Sequence, residues 1–467
     1  MLKHVLLALG VIALGALIAY RAYVIPFTHD EASTWLNYRN LNVWSCYSNA
    51  QCWGTANNHW LNTFLMQRSS ALFGDQVWAL RLPNVLAGLG YFICAALICG
   101  RYLHNYALRF AGLLLLCAHV YLLDFFSLAR GYGLMTCGVI WGIYGLLRYT
   151  EAWSRKWLIA SIVSLVLGIL GNFTGLIAWA AIGAGWLLYV IASGKYSFVL
   201  RHGIYWLGSA VLLFLLLQFP IRQLAGASEF AWGSANPFAM ATDLMQNLLY
   251  GVRYFEDATY LYTVYLVVAL IIVVLGMAII IRKKESKNPV FLLILLLVLN
   301  VVIIATQQQL MDTQAPVGRK SIYLIPFVFG IFVLGLGLLR NTGTASFLGI
   351  IISLAFIGHL LRTLPMHSTR EWFYDAYYPQ LLSDVLPKGA ASDSITMGSS
   401  WIFSPGLQFY QQSVPLPIGG LVYQRPLVID STMQFYFVEQ ADTAGMSQNG
   451  FDLEKRFGPF LLFKNQK

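Results

Sequence analysis

Apolar stretches long enough to cross a bilayer recur along the first three quarters of the chain, separated by short polar breaks. A hydrocarbon core about 30 Å thick takes about 20 residues of helix to span. Eleven segments approach that length, centred on residues 6–20, 85–100, 110–123, 133–147, 158–170, 175–192, 203–219, 261–281, 289–305, 322–339 and 346–361. Several are short and must borrow flanking residues. Beyond residue 361 the pattern changes. Short runs at 394–397, 407–410, 427–429, 435–438 and 460–463 alternate with turn residues, and one helical stretch lies near 376–385. The expected fold class is an all-α polytopic membrane protein of about eleven transmembrane helices with a small C-terminal α/β domain.

Composition agrees. Of 467 residues, 58% are hydrophobic and 11% charged, against about 25% charged in an ordinary soluble domain. That excludes a soluble globular domain, a disordered chain, collagen and a coiled coil. The 14 Trp, 26 Tyr and 29 Phe supply rings suited to the lipid–water boundary. The formal net charge of +10 lies wholly in the apolar part: residues 1–361 hold 22 Lys+Arg and 11 Asp+Glu, residues 362–467 hold 8 and 9. No basic stripe or nucleic-acid motif accompanies the excess, so no nucleic-acid partner is expected.

The placement of charge gives an orientation. With the N-terminus cytoplasmic, the inner connections carry Lys3, Arg101, Arg109, Arg148, Arg155, Lys156, Lys195, Arg201, Arg282, Lys283, Lys284, Lys287 and Arg340 against only Glu151 and Glu285. The outer connections of the same region hold nine basic and nine acidic residues, the asymmetry of the positive-inside rule. An odd number of spans puts the C-terminal tail outside. The first span follows Lys3 like a signal peptide but has no convincing small-residue cleavage site, so it is read as uncleaved. No internal repeat of fixed period is evident, which removes one cue for a secondary transporter.

Two regions result: residues 1–361, a transmembrane module with outer loops at 26–80 and 221–259, and residues 362–467, an extracytoplasmic α/β domain. Cys94, Cys99, Cys117 and Cys137 fall within spans as small apolar groups. Cys46 and Cys52 could close a disulfide in an oxidising compartment or remain two free thiols.

Four outer segments carry the chemistry. Thr28-His29-Asp30-Glu31 leads into an apparent amphipathic helix. Thr28 and Glu31 have capping-box spacing, which leaves Asp30 unexplained; a carboxylate beside the bilayer, its pKa raised by desolvation, can act as a general base. Asn57-Asn58-His59-Trp60-Leu61 is followed by Arg81-Leu82-Pro83, a cation and a proline that could simply anchor a span and shape its entry. Asp124 to Tyr132 contains Arg130, and Asp124 and Arg130 could pair with each other. Gly318-Arg319-Lys320-Ser321 puts two cations against the inside bias, where an anionic lipid phosphate would explain them.

In this order, the four segments resemble the polyprenyl-phosphate-sugar-dependent glycosyltransferases of the GT-C fold, particularly the protein O-mannosyltransferase and lipid A aminoarabinose transferase relatives. The resemblance rests on Asp30-Glu31, the Asn58-His59 and Arg81-Leu82-Pro83 runs, Arg130-x-Tyr132 and the late basic motif. It covers about the first 150 residues and 318–326. Relatives often place prolines directly after the position of His59, where this chain has Trp60 and Leu61. The resemblance implies a sugar moved with inversion from a polyprenyl monophosphate such as undecaprenyl phosphate to an acceptor hydroxyl on the outer side of the plasma (inner) membrane. By the same resemblance Asp30 is the base, and Glu31 its orienting neighbour or an acceptor contact. Asp124 is a second acidic contact in the sugar or acceptor cavity. Arg130, Arg319 and Lys320 receive the donor phosphate, with His59 and Arg81 in support. Tyr132 supports the site by a hydrogen bond or is an interfacial anchor.

No cofactor is expected. A divalent metal on Asp30, Glu31, Asp124 or His59 is conceivable, but a monophosphate leaving group can be met by Arg and Lys alone. Two other readings compete. A lipid flippase or transporter would need ionisable groups near mid-membrane. A polyprenyl-diphosphate-dependent glycan ligase or polymerase would release a diphosphate. The sugar, and whether the acceptor is lipid, glycan or protein, are not legible.

Overall fold

The computed structural model describes residues 2–252, 268, 271, 288–339, 341–386, 395–413, 418–423 and 426–466. The expected span at 261–281, apart from residues 268 and 271, and the inner cations Arg282, Lys283, Lys284, Lys287 and Arg340 with Glu285 lie outside the described residues. The chain divides into two compact units: Met1–Ala22, Leu41–Arg68 and Arg81–Leu364 form one, and Tyr23–Asn40, Ser69–Leu80 and Pro365–Lys467 the other.

The first unit is helical. Among the described residues, seven helices are long and apolar enough to cross a membrane: Val5–Val24, Val77–Tyr102, Gly175–Ala192, Tyr196–Gly226, Pro289–Met311, Gly318–Leu336 and Thr342–Thr363. Tyr106–Cys117 and Val120–Phe126 make an eighth only as a pair bent by 65°. The segments read at 133–147 and 158–170 are helices too, Tyr132–Ala152 and Arg155–Gly171. These two pack closely because Gly138, Gly142 and Gly145 share one face: a Cβ on Gly138 would lie 2.4 Å from the Ser164 carbonyl oxygen. Small residues at such spacing let backbones approach where lipid provides no hydrophobic drive. The helix Tyr196–Gly226 exposes Leu200, Ile204, Leu207, Val211, Phe214 and Leu215, an apolar face that only lipid would cover without cost.

The break in the bent pair falls at Ala118-His119. His119 adopts an extended backbone (φ −98°, ψ 116°), its ring packs on Phe329 with centroids 4.2 Å apart, and its Nε2 lies 2.7 Å from the Leu115 carbonyl oxygen. The short helix beyond it carries Asp124 and leads to Arg130 and Tyr132.

The second unit holds a five-stranded sheet. Its strands are β1 (Ile395–Ser399), β2 (Ile418–Tyr423), β3 (Phe435–Val438), β4 (Phe451–Phe457) and β5 (Phe460–Asn465), ordered β2-β1-β3-β5-β4. β1 lies parallel to β2 and β3, whereas β5 is antiparallel to β3 and β4. Helices Tyr378–Val385 and Ser404–Ser413 cover it, with Tyr378, Leu381, Phe403, Leu407 and Phe437 in the core.

Two short runs read as strands behave otherwise. Residues 407–410 belong to the helix Ser404–Ser413, because Phe403, Leu407 and Tyr410 recur at helical spacing toward the core. Residues 427–429 form no strand. Two strands escaped the reading: β2, which contains two glycines, and β4, an edge strand buried only at Phe451 and Phe457. Its polar interior suits an edge that must not pair further.

Candidate functional site

Within the first unit, Tyr132 is the hub. It opens the helix Tyr132–Ala152, and its buried ring packs on Phe125 with centroids 5.1 Å apart. His59 stands edge-on to the ring at 5.2 Å, and the Arg319 guanidinium lies over it, Cζ 5.9 Å from the centroid. Gly131 permits this crowding, since a Cβ there would fall 1.8 Å from the Gly171 carbonyl oxygen and 2.8 Å from the His59 Cβ. Arg130 is buried, and Asn57 holds it: Nη2 donates to Asn57 Oδ1 at 2.7 Å and Nη1 to the Asn57 carbonyl at 3.4 Å. One aromatic ring therefore gathers an imidazole and a guanidinium, with a second guanidinium two residues away.

The tautomer of His59 follows from its neighbours. Asn172 Oδ1 accepts from the Thr174 N–H at 3.0 Å, which turns the Asn172 amide NH2 toward His59 Nδ1, 3.4 Å away. Nδ1 is thus the acceptor and the ring proton sits on Nε2. That nitrogen is buried and has no hydrogen-bond partner among the described residues. Burial, reinforced by the charges of Arg130 and Arg319, pushes the imidazole well below its ordinary range, so it is neutral at pH 7. A buried N–H donor beside two guanidiniums has the makings of an anion site.

Arg319 and Lys320 sit on a short 3-10 helix, Gly318–Leu324, that opens a span. Gly318 takes φ +60°, open to glycine without penalty, and its N–H donates to Asp243 Oδ2. Just before it, Ala315 and Ser234 bridge through both backbone N–H groups, at 2.8 and 3.1 Å. The segment 221–252 is thereby fastened to the loop that presents the cations. Lys320 turns away: its Nζ donates to the Trp232 carbonyl at 2.8 Å.

Asp124 forms a buried ion pair with Arg21, Nη2 to Oδ1 at 2.5 Å. Its other oxygen accepts from the Tyr250 hydroxyl at 2.9 Å. Arg81, fully buried, donates through Nη1 to the Ala22 carbonyl at 3.2 Å, just past the helical turn that carries Arg21.

The acidic pair belongs to the second unit and opens the helix His29–Tyr38. The Glu31 carboxylate accepts from the Thr28 backbone N–H at 3.0 Å and the Thr28 hydroxyl at 2.8 Å, so Glu31 secures the helix start. Asp30, half-buried one residue earlier, stands in the first turn, where the helix dipole favours a carboxylate. The Phe27 N–H donates to the Tyr410 hydroxyl at 2.9 Å and the His29 N–H to Asp375 Oδ2 at 2.7 Å. The His29 ring donates through Nδ1 to the Ile402 carbonyl at 2.7 Å. Among the described residues, no three His, Cys, Asp or Glu side chains are grouped so that they could hold a metal.

Arg130, His59, Tyr132 and Arg319 are thus brought together, and Asp30 adjoins Glu31. Four participants went unread: Arg21, Asn57, Tyr250 and Asp375. Arg21 had left a signal, a cation at the C-terminal end of an apolar span. Asn57 stands first in the run 57–61 but had no role of its own there, whereas Tyr250 and Asp375 carry no local pattern.

A family model described as dolichyl-phosphate-mannose-protein mannosyltransferase matches residues 60–221. That stretch includes Arg81, Asp124, Arg130 and Tyr132. Among solved structures, the chain is similar to ArnT from Cupriavidus metallidurans in the apo state, at 11% identity over 97% of this chain and 96% of that one, with TM-score 0.53. It is similar to the same protein bound to undecaprenyl phosphate at 12% identity over 98% and 97%, with TM-score 0.54. No curated protein matches by sequence. The chain thus has the GT-C fold of these structures, and its segment 60–221 matches a glycosyltransferase family.

Proposed function

We propose that this enzyme moves a sugar from a polyprenyl monophosphate to an acceptor hydroxyl on the outer side of the plasma (inner) membrane, with inversion. Asp30 takes the acceptor proton, the acceptor oxygen bonds to the anomeric carbon, and the carbon–oxygen bond to phosphate breaks with its electron pair leaving on the polyprenyl phosphate. Arg130 and Arg319 meet the charge that grows on that phosphate, and the His59 Nε2–H donates to it. Lys320 is a weaker contributor, since Trp232 occupies its ammonium. Asp124 acts by holding Arg21. In this reading residues 1–361 are the transmembrane module, with a cytoplasmic N-terminus, and 362–467 the extracytoplasmic domain.

The observation that carries the reading is the convergence on the Tyr132 ring of Arg319 and the buried His59 N–H, which has no hydrogen-bond partner among the described residues. The similarity to a protein solved with undecaprenyl phosphate supports the choice of anion. The test is turnover by the purified enzyme in nanodiscs, supplied with undecaprenyl-phosphate sugars and candidate acceptors. Mass spectrometry should show one undecaprenyl monophosphate released per sugar transferred. Release of a diphosphate, or turnover undiminished in Asp30→Asn, would overturn the proposal.

A further inference from the structure

The second unit grips the helix that carries Asp30 at its first backbone N–H. Helix N-termini leave their first N–H groups without intrahelical partners, and here the one on His29 is taken by Asp375, from the short turn Phe373–Tyr377 that is about 345 residues away along the chain. Asp375 is 1% exposed, and its other oxygen is buried without a hydrogen-bond partner among the described residues. The neighbouring Tyr378 hydroxyl donates to the Phe403 carbonyl at 3.2 Å. Phe27 is fixed on the same side, its ring 4.2 Å from that of Phe409 and its N–H on Tyr410. A surface carboxylate would cap a helix as cheaply; a fully buried one beside two further carboxylates is an expensive choice.

We infer that Asp375 is a positioning residue of the transfer reaction: by accepting the His29 N–H it fixes the first helical turn and so sets where the Asp30 carboxylate points. The inference rests on the proposed role of Asp30 as base. Burial, helped by Glu31 and Asp30, pushes the Asp375 carboxyl well above the usual range against the pull of the His29 N–H and the Tyr378 hydroxyl. Asparagine keeps an acceptor for the His29 N–H through its amide oxygen.

Two substitution pairs test this independently. Asp375→Leu removes the acceptor and Asp375→Asn keeps one. His29→Pro removes only the donor N–H beyond what His29→Ala removes. Proline suits the first helical position, and Thr28, at φ −80° and ψ 159°, has the conformation that precedes proline. Displacement of a catalytic group by a fraction of an ångström to 1 Å costs about ten- to a hundredfold. Asp375→Leu and His29→Pro should each lower kcat at least about tenfold while moving the KM for the undecaprenyl-phosphate sugar by less than about threefold. Asp375→Asn and His29→Ala should stay within about threefold of the unsubstituted enzyme. Should Asp375→Leu fail to fold, the His29 pair decides alone. Equal activity of His29→Pro and His29→Ala, or equal impairment of Asp375→Asn and Asp375→Leu, overturns the inference. Asp30→Asn, measured alongside, separates the two levels: if it is inactive, the base stands and only the positioning role falls, whereas if it is active, both fall.

Discussion

Arg21 and Asp124 form an ion pair buried among apolar helices, with side chains 0% and 3% exposed. Removing one member of such a pair strands the other charge, at about 3–5 kcal/mol, while replacing both with apolar groups of similar size is often neutral. Asp124→Ala should therefore lower stability in detergent by about 3–5 kcal/mol. The double substitution Arg21→Met with Asp124→Leu should recover most of it. Thermal unfolding followed by tryptophan fluorescence gives the comparison; equal stability of Asp124→Ala and the unsubstituted protein would remove the structural role assigned to the pair.

Arg319 and Lys320 are adjacent in sequence but differ in what they face. Arg319 lies over Tyr132 near the vacant His59 donor, whereas Lys320 is spent on the Trp232 carbonyl. A hydrogen bond to a charged group contributes about 1.5–3 kcal/mol. Arg319→Ala should weaken undecaprenyl phosphate binding about ten- to a hundredfold, and Lys320→Ala much less. Titration of the lipid into nanodisc-embedded protein would show this. A larger loss for Lys320→Ala would reverse the assignment.

The spans were legible because hydrophobicity over about 20 residues is a one-dimensional signal. Of the eleven segments read from the sequence, the ten that fall within the described residues are helical. The bend at His119 was hidden, since nothing in the apolar run 110–123 marks a break, and packing against Phe329 supplies the reason. Arg130, His59, Tyr132 and Arg319 were readable as polar or interfacial residues at the ends of spans, but their mutual contacts were not. Asp124 shows the limit: Arg21, with which it forms a buried ion pair, is 103 residues away, and no local spacing announces it. In the C-terminal unit, β4 was invisible because an edge strand with five exposed residues resembles a loop.

Cys46 and Cys52 are bonded in the structure, and both are buried against Val43, Trp53 and Trp60. The Cys46 carbonyl accepts from Trp53 Nε1 at 2.7 Å and the Cys52 carbonyl from Asn58 Nδ2 at 2.9 Å. The bridge thus braces the loop from which Asn57 holds Arg130. A cross-link closing so short a loop contributes about 2 kcal/mol in the chain-entropy account. Replacing both cysteines with serine should cost about that much stability and also weaken undecaprenyl phosphate binding, through loosening of Asn57. Peptide mapping without reductant checks the bond, and lipid titration checks its reach. Unchanged lipid affinity would confine the bridge to a local role.

His59 makes the stability of the lipid-free protein depend on pH. Its folded pKa lies well below the ordinary 6.5, so between the two values the unfolded chain binds a proton that the folded protein refuses. Stability is then full above about pH 6.5 and falls as the pH drops toward the folded pKa, by up to about 1.4 kcal/mol per unit. His59→Gln, which keeps an N–H donor near the Nε2 position but cannot titrate, should remove this part of the acid slope. Undecaprenyl phosphate should flatten the slope in the unsubstituted protein as well, because an anion opposite Nε2 offsets the two guanidiniums that disfavour the imidazolium. Unfolding measured from about pH 5 to 8, with and without the lipid, tests both statements. A slope that the lipid leaves untouched in the unsubstituted protein would place the phosphate away from His59.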